Sequence, residues 1–171
     1  GALVWITLAD SHFASIITQS AVVHGNTVYV GVSSFEELAA AAIPGYVCCT
    51  FRGSMLAMNA NTGEIIWRTY TVPENPPGFP SVEDPFYAGN AIWGSTPAVD
   101  TKRGSVYIAT GNNYTVGSDM LDCIVDGPAD ETCNVPGNFF DAIVSFDTKT
   151  GDVNWATSVL PFDTWNVACF P

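Results

Sequence analysis

The chain has 171 residues, 47 % hydrophobic and 13 % charged, which excludes an intrinsically disordered protein and suits one well-buried domain. Five Lys+Arg against 17 Asp+Glu give a net charge of −12, which argues against nucleic-acid binding because that needs a basic face. No stretch approaches the ~20 continuous apolar residues of a membrane span, and the acidic, lysine-poor balance with five cysteines fits a secreted protein, extracellular or periplasmic.

The chain opens on Gly1-Ala-Leu-Val-Trp5 without a charged leader. That Gly-x-x-x-Trp pattern returns twice, so residues 1–9 read as the last strand of a repeat. Short apolar strands SAVV (20–23) and STPAV (95–99) are followed by the matching strands NTVYVGVSS (26–34) and GSVYIATGN (104–112). EELAAAAI (36–43) has helical propensity but is short and stops at Pro44, so a one-turn helix or an ordered loop is expected there and no other helix is. Next comes YVCCTFRG (46–53), whose neighbouring Cys48 and Cys49 are open to three readings: a redox device, a metal site, or structural staples.

Residues 53–67, GSMLAMNANTGEIIW, align without gaps on 141–155, DAIVSFDTKTGDVNW, sharing Thr62/Thr150, Gly63/Gly151 and Trp67/Trp155. Each reads as a β-hairpin turning at Thr-Gly, with a second strand that ends in Trp. Two long loops intervene, from about Tyr70 to Ala91 and from Tyr114 to Phe140. The second carries Cys123 and Cys133 in an acidic, Gly/Pro-containing stretch that a disulfide could close, at a spacing that matches no zinc pattern. Neither His12 nor His24 has a second ligand near it in the sequence. Asn113-Tyr114-Thr115 is an N-glycosylation sequon and makes Asn113 a candidate.

Strand, turn, Val-Tyr-Val strand, excursion, strand, Thr-Gly turn and Trp strand make four antiparallel strands per unit. The expected architecture is all-β, part of a β-propeller in an incomplete ring. Its segments are the last strand of a preceding blade at 1–9, one blade at 16–72, the next at 91–160 and the start of a following segment at 161–171. The alternative is a two-sheet β-sandwich complete in itself. On the propeller reading the remaining blades, or another chain, are partners, and Trp5, Trp67 and Trp155 dock one blade onto the next.

The Thr-Gly-x-x-x-Trp hairpins resemble the repeats of pyrroloquinoline quinone (PQQ) dehydrogenases. VGVSSFEELAAAAIPGYVCCTFRGSMLAMNANTGEIIW, AIWGSTPAVDTKRGSVYIATGN and FDTWNVAC are similar to the polyvinyl-alcohol dehydrogenase type of quinoprotein, and the likeness covers nearly the whole chain. It implies that Thr18 and Ser33 hydrogen-bond the PQQ periphery, that Trp93 is the floor under the quinone, and that Glu36 and Asn112 are calcium ligands. These assignments make physical sense: calcium takes hard oxygen ligands, Trp offers the largest flat face, and hydroxyls donate to carboxylates without adding charge.

The resemblance further implies oxidation of an alcohol by hydride transfer to PQQ, with Ca²⁺ as Lewis acid and a carboxylate as base. The family's catalytic Asp aligns with Asn166, which cannot take a proton at neutral pH. Asp163, three residues earlier, is the substitute candidate, and a base beyond Pro171 is another. If neither serves, the fold is a catalytically silent propeller that binds or stores a ligand. The likeness also favours a structural disulfide at Cys48 and Cys49 over a redox-active one, and leaves Cys169 seeking a partner beyond Pro171.

Overall fold

The computed structural model describes residues 1–78, 86–94 and 96–167. Two antiparallel sheets dominate it. The first is built from β1 (Ser15–Ile16), β2 (Val22–His24), β3 (Thr27–Ser34), β4 (Ser54–Asn59) and β5 (Ile65–Tyr70), with α1 (Glu36–Ala42) in the excursion between β3 and β4. β1 and β2 lie along the same edge of β3, Ser15 opposite Ser34 and Val22 opposite Tyr29, followed across the sheet by β4 and β5. A two-stranded ladder joins β6 (Ala88–Gly89) to β9 (Asn113–Thr115). The second large sheet has β7 (Ala98–Asp100), β8 (Ser105–Ala109), β10 (Ala142–Asp147) and β11 (Val153–Ser158), in spatial order β7-β8-β10-β11. Its excursion, between β8 and β10, holds β9, α2 (Ser118–Asp126) and a 3₁₀ turn at Glu131–Cys133.

The two Thr-Gly hairpins are built by the same local chemistry. Asn59 Oδ1 accepts from the amides of Asn61 and Thr62, and Asp147 Oδ1 accepts from those of Lys149 and Thr150. Gly63 and Gly151 then take φ of +74° and +77°, a conformation an L side chain resists. The turns also receive a tryptophan. Trp5 Nε1 donates to Ala60 O at 2.9 Å and Thr7 Oγ1 to Gly63 O at 2.7 Å. One repeat later Trp67 Nε1 donates to Thr148 O at 3.1 Å and Thr69 Oγ1 to Gly151 O at 2.6 Å. A Cβ on Gly151 would sit 2.6 Å from the Trp67 ring, so glycine serves here both the turn and the docking.

Strand alternation places Tyr29, Met55, Ala57 and Trp67 of the first sheet against Ile92, Val106, Ile108, Val144 and Phe146 in one buried cluster. The opposite face of the first sheet sends Val30, Val32, Leu56 and Met58 into a second cluster with Cys49, Phe51 and Tyr114. A third, of Val72, Tyr87, Val116, Met120 and Phe140, lies under α2.

Three expectations need correction. Residues 1–9 form no strand, because no neighbouring strand in the chain pairs with them, although Trp5 is docked. β5 and β11 run three residues past their tryptophans, so Trp67 and Trp155 sit mid-strand. α1 extends to seven residues, and α2 is a second helix of nine: Met120 is buried, Ile124 packs beside it, and Gly127 follows its last residue. No helix of the described residues is long and apolar enough to cross a membrane.

Candidate functional site

The hairpin turns gather at one end of both sheets. The long excursions, with the residues marked by the sequence, gather at the other. At the end of β3, Ser33 is fully buried and its hydroxyl lies 2.9 Å from that of Thr18. One step further Ser34 Oγ accepts from the Glu36 amide at 2.9 Å, and Ser34 O accepts from Tyr114 Oη at 3.1 Å, tying the first excursion to β9.

Glu36 is completely buried. Its Oε1 accepts from Tyr46 Oη at 2.5 Å, Thr50 N at 2.7 Å and Thr50 Oγ1 at 2.9 Å; its Oε2 accepts from Phe51 N at 2.7 Å. His12 Nε2 stands 3.5 Å from Oε1 and 2.9 Å from Thr50 Oγ1. Burial alone would raise this carboxyl. His12 beside it and the hydrogen bonds from Tyr46 and the Phe51 and Thr50 amides outweigh it and hold the group at about 2. The same burial, with the anion beside it, pushes the Tyr46 phenol up. Glu36 therefore fastens the segment that carries Cys48 and Cys49, which are paired as a disulfide between neighbours. None of its four hydrogen-bond donors is another predicted site residue. His12, isolated in the sequence, is its neighbour in space.

Trp93 is half-buried and packs against the cluster that holds Cys49 and Phe51. Phe35 lies 6.4 Å away between ring centroids, and a Cβ on Gly111 would come within 3.0 Å of Trp93 Nε1. The indole thus stands between the residue before Glu36 and the residue before Asn112. Asn112 donates both amide protons to backbone, Asn113 O and Trp165 O, each at 2.7 Å, which leaves Oδ1 without a donor among the described residues.

Residues 163–166 lie along the start of β9. Asn113 N donates to Asp163 O at 3.2 Å, Trp165 N to Asn113 O at 2.9 Å, and Asn166 Nδ2 to Tyr114 O at 3.1 Å. Asp163 is thereby brought beside Asn112. Its carboxyl meets that of Asp141, whose Oδ2 is enclosed with no N–H or O–H donor among the described residues. Burial and then the Asp163 carboxyl push Asp141 up to about 6. Sequence reading missed Asp141, whose one local signal is its position at the start of the repeat hairpin, where it holds φ at +40°.

Asn113, the sequon residue, is fully buried. Its Nδ2 donates to Asn90 Oδ1 at 2.8 Å and Asn138 Oδ1 at 2.9 Å, and Asn138 Nδ2 donates back at 3.1 Å. A glycan on that nitrogen has no room in this fold. Cys123 and Cys133 are paired, with 5.4 Å between Cα atoms, tying α2 to the 3₁₀ turn. Cys169 falls outside the described residues. Among those described, no group of three or more His, Cys, Asp or Glu is placed to hold a metal ion.

A family model described as the glucose/ethanol/alcohol dehydrogenase β-propeller domain of the PQQ type matches residues 6–169. The polyvinylalcohol dehydrogenase of a Sphingopyxis species is 32 % identical over 99 % of this chain, which covers 24 % of that protein. A quinohemoprotein alcohol dehydrogenase of Pseudomonas putida is 26 % identical over 67 % of the chain and 17 % of its own length. Among solved structures, a second quinohemoprotein alcohol dehydrogenase of that organism superposes with a TM-score of 0.61 at 24 % identity, over 94 % of this chain and 22 % of that one. At that identity the superposition establishes the fold, a β-propeller. The chain spans about a quarter of the length of the curated relatives it matches.

Proposed function

Because the chain belongs to the PQQ-type alcohol dehydrogenase β-propeller family, we propose that it supplies two neighbouring blades and the quinone-binding end of a PQQ- and calcium-dependent alcohol dehydrogenase. The observation that carries this reading is Trp93, half-buried between Phe35 and Gly111, with Glu36 and Asn112 one residue beyond each. A flat indole at the excursion end of the sheets suits a planar quinone, and the Thr18–Ser33 hydroxyl pair suits its carboxylate edge. For a hard cation the fit is through two oxygens. Among the described residues Glu36 Oε2 has one donor where Oε1 has three, and Asn112 Oδ1 has none.

When bound, PQQ supplies the two-electron acceptor and calcium the Lewis acid. The chain's own residues orient and move the proton. Trp93 fixes the plane in which substrate is presented. Asp163 takes the alcohol's hydroxyl proton, with the Asp141 carboxyl beside it. The disulfide pairs support placing the protein in the periplasm or outside the cell. The alcohol substrate, and the further blades that complete the ring, are its partners on this reading.

A second reading, a silent propeller that binds without turnover, is favoured by Asn166, whose amide donates to Tyr114 O where the family places its base. The two separate when full-length protein is loaded with PQQ and Ca²⁺ and dye reduction is followed with primary, secondary and polymeric alcohols. The dehydrogenase reading expects turnover that Asp163→Asn lowers by roughly 10²-fold or more. Quinone uptake without dye reduction supports the silent propeller.

A further inference from the structure

The hairpin-turn end of the sheets, opposite the quinone end, holds a cleft of about 530 Å³ lined by His24, Lys102, Arg103, Thr148 and Lys149 with a single carboxylate, Asp147. β3 spans eight residues from one end to the other, so the two sites are roughly 25 Å apart. The chain has only five Lys+Arg. Two of them brace the fold: the Arg52 guanidinium donates to Val72 O and stacks on Tyr70, and Arg68 pairs with Asp10 at 2.8 Å. The remaining three all line this cleft. In a molecule of net charge −12, that concentration needs a reason.

The two turns that present the cations are held from beneath. Asp100 Oδ1 accepts from the amides of Lys102 and Arg103, and its Oδ2 pairs with Arg103 at 2.7 Å. Asp147 Oδ1 is taken by the amides of Lys149 and Thr150. Asp147 thus serves its turn backbone, while Asp100 serves its turn and neutralises Arg103, leaving the two lysines. Lys102 and Lys149 are in no ion pair among the described residues. A concave site lined by cations focuses field lines and raises the local concentration of anions.

We propose that this cleft binds an anionic small molecule through one or more oxyanion groups, carboxylate, phosphate or sulfate, with Lys102 and Lys149 as the principal contacts. The volume lies within the range of small-molecule sites and exceeds what a single bare oxyanion fills. The surrounding acidic surface repels other anions, so selectivity comes from the cleft and weakens as salt screens it.

The test is lysine footprinting by an amine-reactive reagent on the full-length protein, read by mass spectrometry at constant ionic strength. Chloride is exchanged for sulfate in one arm and for succinate in the other, which separates tetrahedral from carboxylate recognition. The expected result is saturable protection of Lys102 and Lys149, at least threefold in rate, by millimolar concentrations of one or both probes. Lys102→Gln should remove the protection of Lys149 and Lys149→Gln that of Lys102, at unchanged melting temperature, while Lys→Arg at both positions leaves binding of the probe intact by calorimetry. No protection by either probe, equal protection of lysines elsewhere in the full-length protein, or protection of one cleft lysine that survives loss of the other would overturn the proposal. Protection only by an acidic protein overturns it as well. Quinone loading and dye reduction are separate readouts, so failure here leaves the dehydrogenase reading standing.

Discussion

The two large sheets share one hairpin chemistry, and their excursions do not. Both hairpins use an Asn or Asp side chain to hold the turn, a glycine at positive φ, and a tryptophan from the previous unit bonded to the turn carbonyl. Between the second and third strands of each unit the chemistry diverges. The first excursion is organised around one buried carboxylate, Glu36, with four donors. The second is organised around neutral amides, Asn90, Asn113 and Asn138. On the proposed reading the shared hairpins build the scaffold and the excursions carry the site. A charged organiser depends on pH in a way that neutral amides do not.

Breaking the organiser of the first excursion has the largest expected effect. Glu36→Ala leaves four donors without their acceptor and is expected to cost about 3–5 kcal/mol, read in thermal unfolding, with new protease cleavage between residues 43 and 51. The sign with pH is fixed. The folded-state pKa of Glu36, about 2, lies below the ordinary carboxylate value, so its contribution is present above about 4.5 and is lost as pH falls toward 2. The gap in melting temperature between wild type and Glu36→Ala therefore closes over that window.

The shared scaffold is tested next. Gly151→Ala puts a Cβ 2.6 Å from the Trp67 ring at φ +77°, and a loss of about 2–4 kcal/mol is expected. Gly25→Ala, at φ +58° with nothing within 4 Å, loses about 1 kcal/mol. Equal losses in calorimetry would mean that docking adds nothing to the turn.

The amide network of the second excursion gives a smaller effect without pH dependence. Asn113→Ala is expected to lose about 2–3 kcal/mol at pH 4 and pH 7 alike. Wild-type protein from a glycosylating host should carry no sugar at Asn113 by mass spectrometry. Smallest is Asp141→Asn. The folded-state pKa of Asp141 is raised to about 6, so the ionised group costs stability above that pH and none near pH 4. The amide also suits φ +40°. A gain of a fraction of a kcal/mol at pH 7.5, screened by solvent, and none at pH 4 is expected in melting curves.

What the sequence made legible follows from the range of each signal. The Val-Tyr-Val and Val-Tyr-Ile strands and the Thr-Gly hairpins are local patterns of ten to fifteen residues, so the two large sheets were readable before the structure, apart from the two-residue β1 that makes the first one five-stranded. α2 was not, because its one buried face is Met120 and Ile124, and the acidic, Gly- and Pro-rich flanks hid the period. Glu36 was marked by resemblance, but its partners His12 and Thr50 lie 24 and 14 residues away, beyond any local pattern. The Asn90–Asn113–Asn138 network joins three segments of the chain, so the sequon at Asn113 could not report its own burial. Asp141 was hidden because a single acid at a strand start looks like a solvated one until Asp163 is folded against it.

The most direct test of the central claim, that these two excursions and Trp93 form a quinone-binding end, is titration of full-length apoprotein with PQQ in the presence of Ca²⁺, followed by tryptophan fluorescence. The account predicts saturable quenching in the wild type and affinity at least tenfold weaker for Trp93→Ala at unchanged melting temperature. Quenching that saturates equally in wild type and Trp93→Ala, or no saturable binding at all, would contradict it.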